Sequence, residues 1–152
     1  MYSIRRARTS DHDAIRELDW HCFPDDADAD LKERQAVWWV VEHQGEVVGF
    51  AGAKPWRYAG EGALVLHRAG VHRAHRGQGL QRRLIAVRLA YAKREGFDVV
   101  WTYTTHRNVV SSNNLIKAGF SLWMPKHWQG SAKPWKPEGD YAFLYWKRKV
   151  VK

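Results

Sequence analysis

Gly77 and Gly79 stand one residue apart in the stretch HRAHRGQGLQRRLI (His72–Ile85), among arginines and just ahead of helix-like periodicity. Such a spot suits phosphate chemistry. The first N–H groups of a helix have no intrahelical acceptor and carry partial positive charge. A phosphate approaches them best where no side chain intervenes. The stretch is not a nucleotide P-loop, because no Gly-Lys-Ser/Thr follows, and it lacks the three glycines of the dinucleotide fingerprint. Taken alone, a glycine pair before a helix also serves as an ordinary turn.

Three other sets of residues could carry chemistry. His67 lies four residues before Val71, which on an unbroken strand puts both side chains on one face. Its ordinary pKa of about 6.5 suits a general base, although a histidine bonded within a sheet reads the same way. His67, His72 and His75 bring no carboxylate with them, so no metal site is expected. Asp25, Asp26, Asp28 and Asp30 concentrate acidity in PDDADAD, which reads as a solvated loop and helix cap. Trp123, Trp128 and Trp135 either pack or line a pocket or groove.

These residues need elements to position them, and periodicity supplies a plan. YSIRRAR (Tyr2–Arg8) reads as a strand. Ser10 is the expected N-cap of a first helix, with Asp13 in a capping-box position, Ala14 or Ile15, Leu18 and Cys22 on its apolar face, and Pro24 at its end. ADLKERQ is expected to form a second short helix. VWWVVEHQGEVVGFAGA reads as two strands joined at Gln44-Gly45, and Gly62–Val71 as a third. Leu80, Leu84, Val87 and Tyr91 then form the stripe of an amphipathic helix that ends near Gly96. A strand (DVVWTYTT), a helix (NVVSSNNLIKA), a strand (FSLWM), a Trp-rich loop (PKHWQGSAKPWKPEGD) and a closing strand (YAFLYWKRKVV) complete the order. Strands and helices alternate as in a single α/β sheet domain.

Composition agrees with a folded domain. The chain has 152 residues, 45% of them hydrophobic, with nine tryptophans. Its one cysteine excludes an intrachain disulfide and a Cys-based zinc cage. No stretch approaches the apolar length of a membrane span, and a cytoplasmic protein without a membrane partner is expected. The net charge of +9 favours an anionic partner, whether nucleic acid, an anionic surface or a phosphate-bearing cofactor.

The second motif decides among these. NVVSSNNLIKAGF (Asn108–Phe120) follows the glycine loop at a distance that, with the element order, resembles the GNAT superfamily of acetyl-CoA-dependent N-acetyltransferases. In that family a strand ending in valine precedes Gln/Arg-x-x-Gly-x-Gly/Ala. Here these are Val71 and Arg76-Gly77-Gln78-Gly79-Leu80-Gln81. The family's later helix reads Asn-x-x-Ser/Ala and then Lys-x-Gly-Phe, matched by Asn108, Ser111, Lys117, Gly119 and Phe120. Gln81 stands where Gly or Ala is usual. Its N–H can still serve if its side chain points away from the phosphates.

The resemblance implies a single domain over residues 1–152, with a mixed, mostly antiparallel sheet of about 6–7 strands flanked by about four helices. It implies direct acetyl transfer from acetyl-CoA to a primary amine, the acceptor being a small molecule or protein, with no metal. Backbone at Gly70, Val71 and His72 would meet the pantetheine arm, Arg76 and the amides of Gly77–Gln81 the pyrophosphate, and Asn108 and Ser111 would border the arm. A histidine at the position of His67 belongs to a proton-removal path in the arylalkylamine branch. The family's usual proton-donating tyrosine is replaced by Leu115, which cannot donate, while Tyr103, Ser111 and Ser112 are near in sequence. A CoA-binding protein without strong transfer activity and a basic RNA-binding module are the competing classes. The basic residues are spread over several elements with no RNA motif, so nucleic acid is not expected as the primary partner. The chain is expected to be a monomer or homodimer.

Overall fold

The computed structural model describes residues 1–25, 27, 29–56, 62–105, 107–123 and 143–151. Seven strands form one sheet: β1 (Tyr2–Arg6), β2 (Val37–His43), β3 (Glu46–Pro55), β4 (Ala63–Val71), β5 (Val99–Thr105), β6 (Ser121–Trp123) and β7 (Phe143–Lys149). Their order across the sheet is β1-β2-β3-β4-β5-β7-β6. Every neighbouring pair is antiparallel except β4 and β5. Parallel neighbours need a crossover, and helix α2 (Leu80–Arg94) provides it. Helix α1 (His12–Cys22) joins β1 to β2, and α3 (Val109–Lys117) joins β5 to β6. The helices number three among the described residues, one fewer than expected.

The missing helix is ADLKERQ, where Leu31–Gln35 forms turns instead. The Lys32 N–H donates to the Asp30 carboxylate at 3.1 Å. Such a local side-chain bond offers the backbone an alternative to the helix, and Leu31 is pinned in the core. The start of α1 also differs. Ser10 lies inside a 3-10 turn (Thr9–Asp11), and Asp11 accepts the Arg8 N–H at 2.6 Å.

Side chains from the two sheet faces build two cores. Ile15 and Leu18 of α1 pack with Leu31, Trp38, Val40 and Phe50 on one face. Leu80, Leu84 and Ile85 of α2, with Leu115 and Phe120 at α3, cover Trp39, Val41, Ala51, Leu64, Leu66 and Val71 on the other. VWWVV therefore reads as a continuous apolar run because both its faces are buried. The β2–β3 connection is a two-residue turn with positive φ at Gln44 (51°) and Gly45 (79°), the twist-matched hairpin form.

The two helices bordering the glycine loop and the Asn108 motif end alike. Phe97 N–H donates to Ala92 O and Phe120 N–H to Leu115 O, each past a glycine of positive φ. This left-handed cap requires glycine at Gly96 and Gly119, and it carries Phe120 into the core. The Lys-x-Gly-Phe pattern is thus a helix stop with an apolar anchor.

A bidentate ion pair ties β1 to the start of α1. Arg5 donates to both carboxylate oxygens of Asp11 (2.7 and 2.9 Å) and to Glu42 of β2 (2.7 Å). Hydrogen bonding from Arg5 is the largest cause that lowers the Asp11 pKa to about 2. A carboxylate held below its ordinary value stabilises the fold above its unfolded pKa and loses that contribution as pH falls toward the folded one. Asp11→Ala is expected to cost about 2–3 kcal/mol in urea unfolding at neutral pH. The difference from wild type should narrow steadily as pH falls from about 5 toward 2, and a difference independent of pH would rule out the carboxylate as its source.

Candidate functional site

The ladder between β4 and β5 runs only from Ala63–Val99 to Leu66–Thr102. Beyond it β4 continues to Val71 and β5 to Thr105, without pairing to each other. A wedge opens in the sheet. Two cavities occupy it, of about 570 Å³ and about 520 Å³, and they share Phe23, Ala69, Gln81, Asn108, Ser111 and Asn114 along their walls.

The first cavity begins at the glycine loop. Gly77 and Gly79 have φ of 78° and 74°, and a Cβ on either would meet nothing within 4 Å. Backbone conformation demands glycine here, and the space above stays open. The helix begins at Leu80, and Gly79 O accepts the Arg83 N–H (3.2 Å). The N–H groups from Gly77 to Arg82 find no acceptor among the described residues. Six outward amides at a helix start form a cradle whose chemistry fits a pyrophosphate.

Most of the expected cofactor residues come together there. Gly70, Val71, Arg76, Gly77, Gly79, Leu80, Gln81, Asn108 and Ser111 all line this cavity. His72 and Gln78 do not. Gln78 borders a third cavity of about 560 Å³ between α2 and α3, together with Arg82, Arg83, Lys117 and Arg148. His72 shapes the turn before the loop. Its Nδ1 accepts the Ala74 N–H (3.1 Å) and its ring stacks on His21 at 4.1 Å. His21 Nε2 in turn accepts the Arg73 N–H (3.2 Å). Arg76 donates from Nε to Val71 O (2.9 Å), fastening the loop to the end of β4. Gly70 is needed for close approach, since a Cβ there would lie 2.8 Å from Cys22 Sγ of α1. Asn108 caps α3 by accepting the Ser111 N–H (3.1 Å).

Residues of both sheet faces line the second cavity, and a β-bulge decides on which face His67 lies. Ala51 pairs with Ala69 and Gly52 with His67, so Arg68 is an extra residue with φ of 41°. Val71 belongs to the α2-side core, whereas His67 lies against Trp38 on the α1 side (5.0 Å between ring centroids). The expectation that His67 and Val71 share a face is overturned, because the bulge shifts the alternation by one. Asp19 of α1 holds the bulge through a 3.0 Å ion pair with Arg68. Gly52 leaves room for the ring, since a Cβ there would lie 2.8 Å from His67 Cε1.

Burial is the main cause that lowers the His67 pKa to about 3, and the charges of Lys54, Arg88 and Arg68 add to it. The ring is neutral, and its buried Nδ1 has no hydrogen-bond partner among the described residues. A neutral imidazole with an orphaned nitrogen can hydrogen-bond a reactant, but it is a weak base. Thr104 and Ser112 are spoken for: Thr104 Oγ1 accepts from Trp146 Nε1 (3.0 Å) and lies 3.4 Å from Ser112 Oγ. Leu115 is in the core. Tyr103 lines the second cavity and is 43% exposed.

Beyond Tyr103 the α1-side face of the sheet carries aromatic rings. Trp101 and Trp123 meet at 4.5 Å, Trp56 stacks on Tyr145 at 6.2 Å, and Lys147 Nζ lies 5.5 Å from the Trp123 ring. Asp25 is exposed and Asp30 serves its turn. Asp26, Asp28, Trp128 and Trp135 lie outside the described residues.

Residues 5–120 match the model of the Acetyltransferase (GNAT) family. The chain belongs to that family. It is 38% identical over 73 residues to N-acetyltransferase 8 of Rattus norvegicus, covering 46% of this chain and 33% of the relative. The chain thus spans about a third of that relative's length. Among solved structures, the ribosomal-protein-S18-alanine N-acetyltransferase from Escherichia coli superposes with a TM-score of 0.80 at 13% identity, over 100% of this chain and 96% of that one. The structure of yncA from Salmonella typhimurium with its cofactor acetyl-CoA gives 0.77 at 24% identity, over 99% of this chain and 95% of that one. Both share the fold.

Within this GNAT frame, two site features escaped the sequence reading. The bulge at Arg68 has no local signature, because arginine is not a residue that announces positive φ. Arg88 sits in the buried stripe of α2, at 4% exposure, where an apolar count passes over it. Both border the second cavity. Among the described residues no helix is long and apolar enough to cross a membrane. Because the His67 ring is neutral far below neutrality, an NMR titration should show no step for it between about pH 5 and 8. A midpoint above about 5 would mean that burial and the three cations do not control this ring.

Proposed function

We propose that this GNAT chain transfers the acetyl group of acetyl-CoA directly to a primary amine. The observation that carries the reading is the pair of adjoining cavities that share six wall residues, one starting at the Gly77–Gln81 cradle beside the unpaired edge of β4 and the other reaching His67. On this reading the cofactor takes one face of the sheet and the acceptor the other. The loop amides would hold the pyrophosphate, and the basic lining of the third cavity suits the remaining phosphate of coenzyme A. Backbone at Gly70 and Val71 would run beside the pantetheine arm, with Asn108 and Ser111 at its border.

In the transfer step, the amine nitrogen attacks the thioester carbonyl carbon, the C–S bond breaks, and coenzyme A leaves as thiolate. The proton released by the amine goes to solvent or to the thiolate. His67, neutral and short of one partner, accepts a hydrogen bond from the incoming amine and orients it. Tyr103 borders the same space. The alternative of a CoA-binding chain with weak transfer draws on one fact: Leu115, in the core, offers the thiolate no proton.

Saturating coenzyme A, at about 100 times Kd, should raise the melting temperature by about 5–10 °C. Gly79→Val should abolish that rise. Gly45→Val, at a φ of 79° in the β2–β3 turn, imposes similar backbone strain away from the loop and should keep it. Equal loss in both variants would attribute the effect to strain, and a normal rise in Gly79→Val would remove the loop from the cofactor site.

A thiol-release assay over an amine and peptide panel separates transfer from binding alone. His67→Ala should lower kcat/KM by roughly tenfold to 100-fold, the value of one hydrogen bond to a buried group. The wild-type pH profile should follow the acceptor amine, with no added limb from His67. A limb with a midpoint of about 6 to 7.5 that vanishes in His67→Ala would instead make the residue a general base.

A further inference from the structure

Arg88 is the one cation on the walls of the second cavity whose counter-charge the protein does not supply among the described residues. Arg68 pairs with Asp19, and nearby Lys54 with Glu33. Arg88 is 4% exposed, and its Nε and Nη1 donate to the carbonyls of Leu84 (3.0 Å) and Gly52 (3.1 Å). No carboxylate of the described residues reaches it, and Nη2 has no partner among them. Burial alone acts on its pKa, lowering it to about 9, so the guanidinium stays charged at neutral pH. A buried guanidinium without an anion is costly to keep, and neutral leucine would fill the stripe of α2 as well. The remaining N–H groups of Nη1 and Nη2 form a fork that matches a carboxylate.

The phosphates of coenzyme A are not the partner. Arg88 lies eight residues beyond the first residue of α2, about 12 Å of helix rise from the cradle. The group that meets it belongs to the far end of the cavity, where the acyl group and the amine come together.

We propose that Arg88 receives a carboxylate carried into the transfer cavity by one of the two reactants. This rests on the transferase reading above. The carboxylate comes either with the acceptor, as in an amino acid, or with the acyl group, as in a thioester of a dicarboxylic acid. Recognition of the same anion by the same guanidinium serves both.

Matched pairs test it on the full chain. With acetyl-CoA as donor, kcat/KM is compared for phenylalanine and phenethylamine, and for leucine and isopentylamine, each pair differing by the carboxylate. With the two amines as acceptors, succinyl-CoA is compared with butyryl-CoA. At least about tenfold preference for the carboxylate is expected in one arm, which identifies its carrier. Arg88→Met should abolish the preference and Arg88→Lys should retain part of it. Where no pair is turned over, calorimetry in the presence of coenzyme A reads the same preference as affinity.

No preference in either arm overturns the proposal, as does a preference that survives Arg88→Met. If Arg88→Met does not fold, the wild-type arms and Arg88→Lys decide. Coenzyme A stabilisation of the wild type separates the two readings. Normal stabilisation without a carboxylate preference removes only the role of Arg88, whereas absent stabilisation removes the transferase reading on which it rests.

Discussion

The functional architecture depends on where a hydrogen-bonded ladder stops. Parallel pairing of β4 and β5 ends at Leu66 and Thr102, and both strands then continue apart. Backbone edges that a complete sheet would consume are left facing a gap, and a gap in a sheet needs something to line it. On one side α2 and α3 do so, bringing the helix start at Leu80 and the cap at Asn108 to the same rim. On the other side α1 stops at Cys22, so Phe23 and Tyr103 border the opening and do not seal it. The crossover through α2 makes the arrangement possible. A parallel neighbour can diverge without breaking a hairpin, and the helix linking the two strands begins at the mouth of the wedge.

Charge inside the wedge differs from charge on the surface. The chain carries nine excess positive charges, yet what distinguishes the site is which cations have partners. Arg68 is committed to Asp19 and Lys54 to Glu33, and these pairs fasten the sheet to α1 and to the turn after it. Their fields still reach His67 and, with burial, hold its ring neutral. The same environment that disqualifies the imidazole as a strong base leaves it a fixed, uncharged hydrogen-bonding group. Tyr145 shows a related effect on the aromatic face, where burial and Tyr103 push its hydroxyl pKa up.

What the sequence revealed and what it hid divide along a physical line. Features set by one residue and its immediate neighbours were legible. Gly77 and Gly79 before a helix, Gln44-Gly45 between strands and Gly119-Phe120 after a helix each demand a particular backbone, and each is found as read. Features set by competition between distant parts were not. ADLKERQ has helical composition, but Asp30 turns the chain locally and Leu31 is claimed by the core. Ser10 is the better N-cap by type, yet Arg5 on a separate strand selects Asp11. Period-two logic placed His67 on the face of Val71 because an inserted residue is invisible when every neighbour is a plausible strand former. Arg88 was overlooked for a similar reason, since counting apolar residues assigns a buried stripe without asking what else lies in it.

The bulge at Arg68 divides β4 into two stretches whose facings are set independently. Residues up to His67 keep one alternation, residues from Ala69 keep another, and Asp19 clamps the junction. On the transferase reading proposed above, substitutions in the first stretch would alter the acceptor side while Gly70 and Val71 kept the cofactor edge unchanged. The strand is thus split at Arg68 into two halves whose facings can change separately. On that same reading, one bulge would uncouple the choice of acceptor from the grip on the acyl carrier.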